Sequence, residues 1–540
     1  MLTGPRSPPP GSLGPTTEDL WRGTWCLATA AASSAGRDDR RMDSAHVATA
    51  VRRDDDADVL QAPEIHETHT GMVVLVGDRA YKAKKPVVTD FLDFSTTQRR
   101  QEVCEREVRL NSRLAADSYL GIAHLTDPAG GEPEPVVVMR RYPDSIRLAS
   151  MVRGGVPVEG HLSAIARRIA EFHAEADRGR HIDACAKAPA IGARWQENLT
   201  ELRRHVATVL DSGPLAEVDR LAMQFIDGRA VLFADRITDC RIVDGHGDLI
   251  ADDIFCQPGG PVLLDCLEFD DQLRYVDGLD DAAFLAMDLE FLGRRELGEF
   301  FIEEYRRFAQ DLAPISLVHF YIAYRAIVRA KVDCIRVGQG HQDAAADARR
   351  HLDLALEHLR IGTVRMVLIG GGPGTGKTTL ARAMGETMDA QVISSDDVRR
   401  EMQADGDLSG VSGVYNAGLY SADKVDAVYT TMLHRARLLL AEGRSVILDG
   451  TWRDQRHRAK AGEVARQERS PIVELVCTAP TEEAMTRIAN RSGSTSDATP
   501  RIASAMAYDD HGWAGAHHVD TTQPLSDTVA EAQEVCCLAI

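Results

Sequence analysis

The sequence predicts two globular domains of different class, an α+β domain over residues 45–355 and an α/β domain with a parallel sheet over residues 361–540. Three observations predict this. "MVVLVGDRAYKAKK" (72–85) reads as a β-hairpin, and one helix and a long, mostly helical stretch follow it. "VRMVLIG" (364–370) is an apolar strand ending in glycine, and strands and helices alternate after it. The chain has 540 residues, enough for two or three domains at about 100–200 residues each.

The elements follow in order. Residues 1–44 open with "GPRSPPPGSLGP" and show no strand or helix period, so they are expected to be disordered. Met42, just before the first plausible structured segment, is a second candidate start. "WCLATAAASSAG" is short and lacks a basic leader, so it does not read as a signal peptide. The hairpin has an apolar run, a Gly-Asp turn, then alternation. "QRRQEVCEREVRLNSRLA" has helical spacing at Val103, Val108, Leu110 and Leu114. "PVVVMRRY" is a strand. Residues 160–345 are mostly helical, interrupted by a hairpin-like block at 243–270. After "ARRHLDLALEHLRIGT" come "KTTLARAMGETM", "AQVISS", "DAVYTTMLHRARLLLAEG", "SVILDG" and "PIVELVC", alternately helix and strand.

Apolar content of 44% and charged content of 27% are ordinary for a globular protein. A net charge of −20 argues against a nucleic-acid-coating surface, without excluding a local basic pocket. No apolar run is long enough to cross a bilayer. The ten cysteines are scattered, with no CxxC pair and no metal-ligand spacing. Reduced thiols in a cytoplasmic protein are expected.

"GGPGTGKT" (371–378) fits G-x-x-x-x-G-K-[ST] in full, after an apolar strand and at the opening of a helix. Its glycines let backbone N–H groups turn around phosphate oxygens, and the helix N-terminus adds positive potential. Gly371, Gly372, Pro373, Gly374, Thr375, Gly376, Lys377, Thr378 and Thr379 are therefore candidate nucleotide-binding residues. Lys377 suits the β/γ-phosphates, and the Thr378 hydroxyl suits Mg²⁺. "SVILDGT" ends a second apolar strand in Asp449, a candidate metal carboxylate whose rival reading is a helix cap. "ISSDDVRR" places Asp396 and Arg399 at a strand-to-helix junction. Asp396 could take a hydroxyl proton and Arg399 hold substrate, or they could be a capping acid and a solvated base. Arg487 and Arg491 lie one helical turn apart, as a lid over a transferring phosphoryl group or as a solvated face.

"HGDLIADDIF" (246–255) sets Asp248 two residues after His246 and Asp253 five after Asp248; "VLLDCLEF" then places Asp265 after an apolar strand. Phosphoryl transfer from ATP needs a carboxylate at the acceptor hydroxyl and oxygen ligands for Mg²⁺, and this order supplies both.

The C-terminal residues resemble the P-loop small-molecule kinases, around gluconate kinase, the 5′-polynucleotide kinase domain, chloramphenicol phosphotransferase and zeta-type toxins. That resemblance covers about 360–540 and implies Asp396 as base, Arg399 as substrate contact, and Arg487 and Arg491 as lid residues. The HGD block resembles the aminoglycoside phosphotransferase-like branch of the protein-kinase fold, over about 45–350. It implies Asp248 as catalytic base, Asp265 as metal ligand, Asp253 in the place of a metal-binding Asn, Lys82 or Lys84 on the phosphates, and Glu107 orienting that lysine. "LVGDRAYKAKKPV", "FLDFST", "EREVRLN", "DCLEFDD" and "FLAMDLE" resemble a two-part bacterial type, the bifunctional aminoglycoside phosphotransferase/ATP-binding proteins. The expectation is an ATP- and Mg²⁺-dependent phosphotransferase with two nucleotide sites, acting on a small hydroxylated molecule rather than on nucleic acid or a membrane. The alternatives are a regulator with one sensor domain, or a polynucleotide 5′-hydroxyl kinase, which the acidic charge disfavours.

Overall fold

The computed structural model describes residues 63–67, 71–88, 93–126, 132–410, 418–490 and 513–539. The expected disordered segment 1–44, Met42 and Arg491 lie outside them. By internal contacts the chain divides into two compact units, Met1–Met151 with Asp252–Asp270, and Val152–Ala251 with Asp271–Ile540. This division cuts the kinase-like part rather than following the sequence boundary near residue 360.

In the first unit, strands β1 (Glu64–Glu67), β2 (Gly71–Val76), β3 (Arg79–Lys84), β4 (Tyr119–Leu125) and β5 (Glu134–Arg140) form an antiparallel sheet of order β1-β2-β3-β5-β4. Gly77 turns the β2–β3 hairpin at φ 56°, open to glycine at little cost. Alternation along β3 sends Ala80 toward Cys104 of helix α1 (Thr97–Ala115), while Ala83 packs with Val74 and Val136 on the opposite face. Lys82 and Lys84 share the Ala80 face, so the α1 side of the sheet receives both ammonium groups. Thr96 caps α1 by accepting from the Arg99 N–H at 3.3 Å. Ile254–Gln257 pairs with Gly260–Leu263 in a hairpin and delivers Asp265 just past its end.

In the second unit, the longer helices that precede a parallel sheet are α2 (Glu159–Glu175), α3 (Ala188–Arg203), α4 (Ser212–Gly228), α5 (Ala230–Thr238), α6 (Gly278–Phe291), α7 (Arg295–Ala309), α8 (Ile315–Gly338) and α9 (Ala344–Ile361). Helix α6 is buried nearly all round, as its apolar composition requires of an internal helix. Phe320 of α8 stacks on Phe225 of α4 with centroids 4.4 Å apart. Up to α9 the chain has a protein-kinase-like α+β fold, sheet and single helix first and helical lobe after.

The remainder is an α/β P-loop fold. Strands β6 (Met366–Gly370), β7 (Gln391–Ser394), β8 (Val446–Asp449), β9 (Ile472–Thr478) and β10 (His517–Asp520) are parallel in the order β7-β8-β6-β9-β10. Helices α10 (Lys377–Met388), α11 (Ser395–Ala404), α12 (Ala422–Ala441), α13 (Gln455–Gln467), α14 (Thr481–Ala489) and α15 (Leu525–Leu538) accompany it. Central β6 is buried throughout, which explains its unbroken apolar run. Among the described residues no helix is long and apolar enough to cross a membrane.

Candidate functional site

In the first unit, α1 and β3 build a buried charge cluster. Glu107, fully buried, bridges two lysines: Lys82 Nζ lies 2.9 Å from Oε1 and Lys84 Nζ 2.6 Å from Oε2. Lys82 also pairs with Asp265, and Lys84 with Glu268. The lysines differ in access: Lys84 is sealed, whereas Lys82 reaches Asp265, whose side chain is 40% exposed. Burial works against both ammonium charges; Asp265, Glu107 and Glu268 outweigh it for Lys82, and Glu107 and Glu268 for Lys84, so both are raised. Burial works against the Glu107 carboxylate too, and the two lysines hold it below the usual range. Neither lysine lies on a solvated strand face. Asn111 accepts from the Cys266 N–H at 2.8 Å and Tyr119 Oη accepts from the Asp265 N–H at 3.1 Å, fixing the segment that carries Asp265. Asp265 adopts φ 64°, a left-handed conformation that Asp tolerates better than most residues. Asp253 sits in the short turn Ala251–Asp253, and its carbonyl accepts from the Leu264 N–H at 3.0 Å.

A prediction follows from this cluster. Glu107→Ala leaves two buried ammonium groups short of a partner, and is expected to lower stability by about 3–5 kcal/mol. Because the folded-state Glu107 value is depressed, its contribution is complete above the ordinary carboxylate range and is lost as pH falls through the depressed value. Urea unfolding of wild type and variant at neutral and acid pH measures both: the gap between them must narrow on acidification.

In the second unit, the HGD loop hangs from α6. Asp281 accepts from the His246 N–H at 2.7 Å and the Gly247 N–H at 2.9 Å. Burial works against that carboxylate, but a 3.0 Å contact from His173 Nε2 and the nearby His246 and Arg325 hold it depressed. Arg325 of α8 donates to the Gly247 carbonyl at 3.1 Å and to Asp280 at 2.7 Å. Gly247 takes φ 87°, and Asp248 is left half-buried, its N–H donating to His246 Nδ1 at 3.3 Å. Sequence reasoning missed Asp281, Arg325 and Glu268. For the first, the available signal was a pair of acids opening an otherwise apolar helix, "GLDDAAFLAM".

At the carboxyl ends of the parallel strands, the phosphate loop is folded and closed on itself. Lys377 Nζ donates to the Gly372 carbonyl at 2.7 Å and the Thr375 hydroxyl to the same oxygen at 2.8 Å. Gly374 has φ 79°, and a Cβ there would lie 2.4 Å from the Ala484 carbonyl, so the loop admits only glycine. Thr378 Oγ1 donates to Asp449 Oδ2 at 2.7 Å. Asp449 is 3% exposed, and burial pushes its carboxyl up against the pull of Lys377. It is not a helix cap. Ser394 Oγ, rather than Asp396, caps α11, accepting from the Asp396 N–H at 3.4 Å. Arg399 is buried, pairs with Asp396 at 2.6 Å and lies 4.5 Å from the Tyr420 ring centre, so it is not a solvated base. Arg487 donates to Thr521 Oγ1 at 3.1 Å, and Thr521 Oγ1 donates to the Thr375 carbonyl at 2.8 Å, tying α14 to the loop. Pro373 and Thr379 belong to the loop and to the first turn of α10. Gly371 takes φ 133° and Gly376 φ 86°.

The AAA domain family model matches residues 366–508. An uncharacterized protein of Mycobacterium tuberculosis strain H37Rv is 55% identical over 477 residues, covering 88% of this chain and 96% of its own. The chain belongs to the family of that mycobacterial protein. Among solved structures, a gluconokinase from Sinorhizobium meliloti is 17% identical, with 32% of this chain and 93% of that one covered at a TM-score of 0.25. A choline/ethanolamine kinase family protein from Mesorhizobium loti is 15% identical, with 56% and 94% covered at a TM-score of 0.35.

Proposed function

We propose that this chain is a bifunctional ATP- and Mg²⁺-dependent phosphotransferase, each site acting on a hydroxyl group of a small molecule. The observation that carries the reading is the convergence, at one end of the parallel sheet, of the Lys377 loop, the Thr378–Asp449 pair and the Asp396–Arg399 pair. Oxygen donors from Thr378 and Asp449 suit Mg²⁺, and a carboxylate deprived of water, as Asp449 is, gains from a cation. When bound there, the ion supplies charge neutralisation between the phosphates. Lys377 then holds the phosphates, Asp396 takes the proton of the acceptor hydroxyl, Arg399 holds the acceptor, and Arg487 lies beside the transferring group. In the kinase-like part, which on this reading runs to about residue 355, Asp248 takes the acceptor proton. Asp253 and Asp265 hold the metal. Lys82 is preferred over Lys84 for the phosphates because its partner Asp265 is accessible.

The test is a screen of small hydroxylated metabolites with labelled ATP, using wild type, Asp248→Asn and Lys377→Ala. Two products, each lost in a different variant, are expected. Label passing only to a 5′-hydroxyl oligonucleotide would replace the small-molecule reading. Asp253→Asn removes one charge from the kinase-like metal site. It should preserve ATP binding and raise the Mg²⁺ concentration needed for half-maximal transfer; an unchanged magnesium requirement removes Asp253 from the ligand set.

A further inference from the structure

The helical lobe meets the sheet at the amino ends of its strands, opposite the phosphate loop. Ser316, in the first turn of α8, donates to the Gly443 carbonyl at 2.6 Å. Gly443 precedes β8, and the approach has no slack: at φ 81°, a Cβ there would lie 3.0 Å from both Ser316 Oγ and Leu232 Cδ2. Arg229, 1% exposed, donates to the Glu468 carbonyl at 2.9 Å and to Ser470 Oγ at 2.7 Å, just before β9. The Arg365 N–H, just before β6, donates to Ser445 Oγ at 3.1 Å. The start of β8 is therefore anchored, and its other end is Asp449, which accepts from Thr378.

Helix α8 runs on from Ser316 to Arg325, nine residues or about 13 Å at 1.5 Å per residue. There the buried Arg325 guanidinium grips the Gly247 carbonyl, next to Asp248, and Asp280. Asp281 holds the same loop by its N–H groups. One buried helix and one buried strand, joined by the Ser316–Gly443 hydrogen bond, thus connect the metal-side acid of one site with the base-bearing loop of the other. Both elements lie in close-packed surroundings, where displacement at one end is passed on rather than absorbed.

Resting on the two-site reading above, we propose that Arg325 is a positioning residue for Asp248 and that α8 relays the state of the P-loop site to the HGD loop. Nucleotide binding between Lys377 and Asp449 loads β8, and Ser316 and Arg325 carry the load to Gly247.

The experiment is hydrogen exchange on the full chain, with residue-level readout, with and without a non-hydrolysable ATP analogue and Mg²⁺. It compares wild type with Lys377→Ala, Ser316→Ala and Arg325→Lys. Nucleotide should change exchange at the His246 and Gly247 amides at least about fivefold more in wild type than in Lys377→Ala, the lower end of ordinary coupling. Ser316→Ala should keep nucleotide protection of residues 371–379 yet fall to the Lys377→Ala level at the loop. Arg325→Lys cuts the same path at its other end and should do likewise, so the proposal does not hang on one variant folding. Equal loop exchange in wild type and Lys377→Ala, with 371–379 protected in wild type, overturns the relay while leaving the nucleotide reading intact. No protection of 371–379 in wild type overturns that reading, and the relay with it.

Discussion

Lys377→Ala is expected to reduce phosphoryl transfer at the P-loop site by about 10²–10³-fold, the usual effect of removing one preorganised group that stabilises transition-state charge. The lysine stretches along the loop to the Gly372 carbonyl at 2.7 Å, poised over the space where phosphate oxygens would lie. Two other cations at this end of the sheet are already engaged, Arg487 with Thr521 and Glu483 and Arg399 with Asp396. Affinity for the nucleotide should fall as well, by about tenfold or more, because a charge-assisted hydrogen bond contributes about 1.5–3 kcal/mol. Lys377 is only half-buried, so the variant should fold. Single-turnover label transfer and equilibrium nucleotide binding check the two numbers; transfer within tenfold of wild type would remove Lys377 from the machinery.

Asp248→Asn should lower transfer at the kinase-like site by about 10²–10⁴-fold, the range for loss of a positioned general base. Asparagine keeps the size and loses the basic oxygen. The loop itself should keep its place, because its peptide groups are held by Asp281 and Arg325. Nucleotide affinity should therefore stay within about threefold of wild type, well under the roughly 1.4 kcal/mol of a tenfold change. A parallel loss of affinity and rate would mean that Asp248 binds rather than takes the proton. Transfer unchanged in this variant would favour a sensor role for the kinase-like part.

Residues whose work is local were legible in the sequence. The phosphate loop is contiguous, and its glycines, lysine and threonine are fixed by one turn. The hairpin and α1 followed from period and turn chemistry, and alternation alone put Lys82 and Lys84 on one strand face. What alternation could not say is which lysine stays accessible; that depends on Asp265 and Glu268, 183 and 184 residues further along the chain. Asp281 and Arg325 escaped notice for the same reason. A buried acid or guanidinium has meaning only through its partner, and theirs are backbone groups of a loop 34 and 78 residues away in sequence. Arg399 read locally as an even choice between substrate contact and solvated base. Only its burial against the Tyr420 ring removed the second.

The place where the helical lobe is joined to the sheet has a further consequence. Ligands of open α/β sheets gather at the carboxyl ends of the strands, so the amino ends form a face without chemistry. Here that idle face is the one that Arg229 and Ser316 grip, through the carbonyls of Glu468 and Gly443. Whatever each part does, the helical lobe is thereby fastened to the sheet from the side away from the phosphate loop, and the two are held in one fixed stoichiometry.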